Sequence, residues 1–245
     1  MNGIHDLGGR DGIGAVDPPP PGADPVWKSE WEKAAHAMFP LAFRAGYFGL
    51  DEFRYAMEQM DPVEYLTSAY YEHWLHAVEH YGVRAGAFDP DEIDERARFY
   101  LENPDAPLPD KQDPALVAFI DGVVAAGASA VRDTGKTARF AVGDRVTVVA
   151  DAPRGHTRKA SYVRGRTGVI ELAHGEMIYP DSAGNGHGEG PEHVYTVLFT
   201  NEELWGAEAA EPNGSVTFDV WEPYIVPATT APAAPATDAV EETVA

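Results

Sequence analysis

The apolar residues of this chain follow a period of about 3.6 as far as residue 125 and a period of about 2 from residue 139 onward. Helices repeat a face at the first spacing and strands at the second, so one uniform architecture cannot serve the whole chain. The chain therefore reads as α+β: a helical domain over residues 27–125, then a β domain over 139–227. The small-residue stretch AAGASAVRDTGKT marks a linker between them over 126–138.

Five helical segments are expected in the first half. VWKSEWEKAAHAMF sets Trp27, Trp31, Ala34, Ala35 and Met38 three and four residues apart. GLDEFRYAMEQM opens with acids that suit a helix N-terminus and stops at Asp61-Pro62. SAYYEHWLHAVEHYGV predicts a buried face of Tyr70, Trp74, Ala77 and Tyr81, with Gly82 as C-cap. DPDEIDERARFYLEN and DKQDPALVAFIDGVVAAG supply two more. In the second half RFAVGDRVTVVAD alternates Phe140, Val142, Val146 and Val148, and RTGVIEL, HVYTVLFT and SVTFDVWEPYIV follow as strands. Short strands with Gly-rich connections predict a small closed barrel.

The ends differ from both halves. Residues 1–26 contain DPPPPGADP, which cannot be helical. Ile4, Leu7, Ile13, Val16 and Val26 equip them to lie along a surface as an extended arm. Residues 228–245 have too few large apolar groups to fold and are expected to be disordered. The N-terminus lacks a basic region followed by an apolar stretch, and no apolar run approaches the roughly 20 residues of a membrane span. A cytoplasmic location is expected.

Charge poses the functional question. The chain has 18 Lys+Arg against 40 Asp+Glu, a formal charge of −22, yet Arg154, Arg158, Lys159, Arg164 and Arg166 fall within thirteen positions. A body so negative repels nucleic acid and anionic membranes, so the cationic stretch needs another anion. With no cysteine, the chain has neither a thiolate nucleophile nor a sulfur ligand for a metal.

Three motifs lead elsewhere on inspection. TGKT at 134–137 resembles a phosphate loop, but the glycine that motif needs five residues before Gly135 is Ala130. GGRDGIG at 8–14 follows no strand and opens no helix. His73, His76 and His80 share a helix face at metal-ligand spacing, but Glu72 and Glu79 mark that face as solvated. The loop YPDSAGNGHGEGPEH carries His187 and His193 with no partner that spacing identifies.

MNGIHDLGG, EWEKAAHAMF, GLDEFRYAMEQM, YYEHWL, GHTRKASYVRGRTG, YTVLFTNEELWG and DVWEPYI occur in an order that resembles the nitrile hydratase β-subunit family, over roughly residues 1–226. The resemblance implies hydration of a nitrile to an amide at a non-corrinoid cobalt or non-haem iron centre. It places the metal on a cysteine cluster of an α subunit, two of whose cysteines are oxidised, so that this chain supplies no metal ligand. Arg54 in DEFRY and Arg158 in GHTR match the family arginines that hydrogen-bond the oxidised sulfur ligands. A fork of permanently charged donors suits such oxygens better than lysine does.

Without the resemblance, Arg54 reads as an i,i+4 partner of Glu58, beside an apolar stripe of Leu50, Phe53 and Met57. By the same mapping Phe39, Leu50, Phe53, Tyr70 and Trp74 lie near the substrate channel, and the Tyr70/Trp74 pair leans toward cobalt. The implied partner is the α subunit, as αβ or α2β2, and the C-terminal domain is expected to be an SH3-like barrel. Alternative readings are a thiocyanate hydrolase-like subunit, a non-catalytic assembly or maturation protein, or a scaffold subunit.

Overall fold

The computed structural model describes residues 3–10, 12–15, 18–23, 25–109 and 113–229. Six helices form the first half: α1 (Glu30–Arg44), α2 (Leu50–Glu58), α3 (Pro62–Thr67), α4 (Tyr70–Arg84), α5 (Pro90–Glu102) and α6 (Pro114–Ala126). Asp61, Asp89 and Asp113 each precede a proline, and each accepts backbone N–H bonds as the N-cap of α3, α5 and α6. Asp61-Pro62 thus starts a helix as well as ending one, and α3 goes beyond the five segments expected. In α1, α2 and α4 a glutamate on the third helical residue reaches back instead, as Glu52 does to the Gly49 N–H at 2.7 Å.

Packing corrects the expected faces. Ala42, Phe48, Phe53, Ala56, Ala77, Val78 and Tyr81 form the buried helical core, with Phe39, Tyr47, Met57 and Trp74 at its edge. In α4 the buried tyrosine near the start is Tyr71, while Tyr70 is 64% exposed. In α1 Ala35 is buried, but Trp31 and Met38 are exposed, as is Trp27 just before the helix. Gly82 is not the C-cap of α4, which is Ala85. Gly82 lies inside the helix, where a Cβ would stand 2.2 Å from the Phe88 ring and only glycine fits.

The second half is an antiparallel sheet of β1 (Val131–Arg132), β2 (Arg145–Val148), β3 (Thr167–Met177), β4 (Glu192–Thr200), β5 (Ser215–Trp221) and β6 (Ile225–Pro227), with short helices α7 (Pro180–Ala183) and α8 (Asn201–Trp205) in its connections. The strand order is β5-β4-β3-β2-β6, and β1 pairs with the far end of β3. That pairing puts a strand inside the stretch read as linker. No pairing among the described residues joins β5 to β6, so the hydrogen-bonded sheet is open where a closed barrel was expected. Its core is nearly dry: Val146, Val148, Val163, Ile170, Tyr195, Val197, Phe199 and Val220 have no exposed surface. Val142 is exposed, because the turn at Gly143 (φ 93°) interrupts the alternation before β2 begins.

Between the halves lies the arm. Asp6 is buried and accepts the Ser161 N–H at 2.9 Å, while Gly8 and Gly9 pack so closely on Tyr162 and Trp205 that a Cβ on either would clash. Ile13 and Val26 are exposed, and Val16 lies outside the described residues. The tail read as disordered lies outside them from residue 230.

Candidate functional site

Helix α2 and the loop of residues 152–160 meet where the two halves touch. Asp51, Arg54 and Glu58 are three and four residues apart, so they share the face of α2 toward that loop. His156 enters this face with no exposed surface. Its Nδ1 stands 2.9 Å from Glu58 Oε2, and its Nε2 stands 3.6 Å from Asp51 Oδ1. The first is a hydrogen bond; the second exceeds that length, so Asp51 acts on the ring by charge. Burial works against a charged His156, but the two carboxylates together outweigh it and its pKa rises. Burial likewise opposes ionisation of Asp51, yet His156 and Arg54 hold its pKa below the ordinary value. Arg54 donates to Asp51 Oδ1 at 2.8 Å, so its helical partner is Asp51 and not Glu58.

The sheet half holds the His156 backbone. Asn185 accepts from the His156 N–H and donates to its carbonyl, both at 3.0 Å. Gly184 backs the ring, and a Cβ there would fall 2.4 Å from it. One residue on, the Thr157 hydroxyl and the Arg158 N–H each donate to the Tyr224 hydroxyl at 3.2 Å, and that hydroxyl donates to Asp181. Burial raises the pKa of both Tyr224 and Asp181, and Asp181 further raises that of Tyr224, so the phenol stays a donor.

The five clustered cations have separate fates. Lys159 is buried, 2.7 Å from Asp151 and over the Tyr224 ring. Arg164 turns back to donate to the Lys159 carbonyl at 2.9 Å. Arg154 and Arg166 are exposed. Arg158 is half-buried with its backbone fixed, and its guanidinium forms no ion pair among the described residues. The Tyr65 hydroxyl lies within its field: burial and Glu58 raise that pKa while Arg158 lowers it.

Of the expected apolar positions, Phe39, Phe53 and Trp74 form one cluster, with ring centroids 4.7 Å apart for Phe39–Phe53, 5.3 Å for Phe39–Trp74 and 5.2 Å for Phe53–Trp74. Tyr70 joins its edge at 5.9 Å from Trp74, and Leu50 is exposed. The three spaced histidines part company. His73 stacks on Tyr65 and sits 2.9 Å from the Tyr65 carbonyl. His76 and His80 stack on each other, ring centroids 6.3 Å apart, and both line a cavity of about 690 Å³ between α2, α4 and residues 184–186. Among the described residues no three His, Asp or Glu side chains converge as a metal site. The TGKT turn does hold an anion, supplied by its own sheet: Glu176 accepts from the Thr134 N–H at 3.0 Å, the Lys136 N–H at 2.9 Å and the Thr134 hydroxyl.

Sequence reasoning passed over Asp51, His156, Asn185 and Tyr224. His156 stands in the cationic stretch, but its hydrogen-bonded carboxylate is 98 residues away and no local spacing connects the two.

The site thus combines a fixed loop, an arginine without an ion pair among the described residues and a charged face of α2. Family models described as nitrile hydratase β subunit, N-terminal and C-terminal, match residues 1–117 and 129–227. The chain belongs to the nitrile hydratase β-subunit family. It is 53% identical to a nitrile hydratase subunit β of a Rhodococcus species, over 92% of this chain and 95% of that one. It is 52% identical to a cobalt-containing nitrile hydratase subunit β of Pseudonocardia thermophila, over 92% and 96%. A solved chain of thiocyanate hydrolase from Thiobacillus thioparus, in its recombinant apo form, aligns at 26% identity over 50% of this chain and all of its own, with a TM-score of 0.35.

Proposed function

We propose that this chain is the β half of an enzyme that hydrates nitriles to amides, and that it works only when joined to an α subunit, as αβ or α2β2 in the cytoplasm. The metal is cobalt in this reading, with iron as the alternative, and it belongs to the α subunit. The donor set fits that division. The chain has no cysteine, and no ligand trio converges among the described residues. What it offers is a positive fork, suited to anionic oxygens on a partner's metal ligands. The metal, once bound, supplies Lewis acidity.

Arg158 and Arg54 hydrogen-bond those oxygens, while Phe39, Leu50, Phe53, Tyr70 and Trp74 shape the channel on this side. The carrying observation is Arg158 itself, whose backbone is tied to Tyr224 while its side chain is left without an ion pair among the described residues. The domain division at 26, 125, 138 and 227, and the SH3-like form of the C-terminal domain, belong to the same proposal. The barrel is supported by the chain's path. After β5 a 3-10 turn over Glu222–Tyr224 leads to β6, which returns to pair with β2.

The test is Arg158→Lys in assembled enzyme of equal metal content. Charge is kept and the planar fork lost. A charge-assisted hydrogen bond contributes roughly 1.5–3 kcal/mol, so kcat should fall between about tenfold and a few hundredfold. Arg154→Ala is the control, because Arg154 is exposed whereas Lys159 is buried on Asp151. Near-normal turnover in Arg158→Lys would reject the assignment.

A further inference from the structure

The charged groups of α2 and the loop do not end at Glu58. The same Oε2 that accepts from His156 lies 3.7 Å from Nε2 of His5, in the N-terminal arm. Arg54, Asp51, His156, Glu58 and His5 therefore form one run, with successive gaps of 2.8, 3.6, 2.9 and 3.7 Å. The side chains of Asp51, Glu58 and His5 are each 9% exposed and that of His156 is wholly buried. A buried carboxylate needs donors on more than one side, and His156 supplies only one to Glu58. Neither ring nitrogen of His5 has a hydrogen-bond partner among the described residues, although both are shielded from solvent. His5 is aimed by its neighbours: Asp6 N–H bonds the Gly3 carbonyl at 3.1 Å, and Asp6 is itself anchored on Ser161.

We infer that His5 is a positioning residue, which holds the Glu58 carboxylate on His156 and through it fixes Asp51 and Arg54. This rests on the reading that Arg54 faces the reacting centre. A movement of about half an ångström would turn the 3.7 Å approach into a hydrogen bond. Around the ring stand Asp6 from the arm, Glu58 and Tyr55 from α2, Tyr65 from α3, and His156 and Arg154 from the loop. Burial is the largest influence on the His5 pKa, which is lowered despite Glu58 and Asp6, so the ring is neutral near pH 7 with Nε2 the nitrogen placed to donate to Glu58. The arm is thus a working part of the site and not only a strap.

The test uses the assembled enzyme. His5→Ala should lower kcat about tenfold, the scale of losses behind a directly contacting residue, with KM little changed. His5→Gln, whose amide nitrogen reaches the place of Nε2, should recover most of that loss. In the double variant with Glu58→Gln, His5→Ala should add nothing to the effect of Glu58→Gln alone. The His156 imidazole titration, read by NMR, should move down in Glu58→Gln and, by less, in His5→Ala. Asp6→Asn, which loosens the anchor that aims His5, should move that titration in the same direction as His5→Ala and by less. An unchanged His156 titration in His5→Ala, a multiplicative double variant, or no rescue by glutamine would overturn the inference. Arg54→Lys in the same series separates the two readings. If it is silent, the reading of Arg54 fails; if it is impaired beside a wild-type-like His5→Ala, only the role of His5 fails.

Discussion

The two halves bury their apolar residues in opposite ways. The sheet encloses Tyr195, Val197, Phe199 and Val220 completely. The helices α3, α5 and α6 have no buried residue among those described, and they leave Val63, Leu66, Phe99, Leu101, Leu116, Val117 and Val124 facing outward. So large an apolar surface is of the kind that interaction sites present. One half is finished within itself; the other leaves apolar surface open. The junction at His156 is where the finished half can hold a residue rigidly against the unfinished one.

The largest test of this contrast is a pair of truncations. Phe199→Ala should cost about 3–5 kcal/mol of folding stability, as a cavity in a sealed core does. Phe99→Ala, half exposed on α5, should change the stability of this chain by less than about 0.5 kcal/mol while weakening association with the α subunit. Equal losses of folding stability would erase the distinction. Next comes Gly82→Ala, whose Cβ meets the Phe88 ring and should cost about 1–3 kcal/mol by overpacking, measured by denaturant unfolding.

The junction itself should be pH-sensitive. His156 has a folded pKa raised above 6.5, so its contribution is complete below that value and is lost as pH rises through the folded value. Asp51 has a lowered folded pKa, so its contribution is present above 3.8 and is lost as pH falls. Thermal unfolding followed from pH 5 to 9 should show stability declining on the alkaline side, and His156→Asn should flatten that decline. The smallest effect is Gly122→Ala on α6, where nothing lies within 4 Å of the new Cβ. It should stabilise by roughly 0.5–1 kcal/mol through helix propensity alone.

Legibility in the sequence followed the range of the forces involved. Asp89-Pro90 and Asp113-Pro114 announced their helices because capping acts over two or three residues. The strands β2 to β5 were visible in the alternation, whereas β6 was read as the end of the β5 segment, because the turn at Glu222–Tyr224 that parts them carries no break in the apolar pattern. The face of α4 was misread by one residue: Tyr70 and Tyr71 are adjacent, and only packing against α1 and α2 decides that Tyr71 turns inward. Gly82 looked like a terminator, but its reason is the Phe88 ring, which folds back on it from the turn after α4. The carboxylate cage of His156 was invisible, because its members are adjacent only after both halves have folded and met.

The seat of Asp6 has a bearing on how the protein is made. Its hydrogen-bond partner, Ser161, lies 155 residues further along the chain. At translation rates of about 5–20 residues per second, roughly 8–30 s separate the synthesis of the two. Through that interval the newborn segment has no groove to occupy, since Tyr162 and Trp205, which flank Gly8 and Gly9, are made later still. Ribosomal order and docking order are therefore reversed here: the helices can collapse early, while the leading residues settle only after the last strands have been delivered.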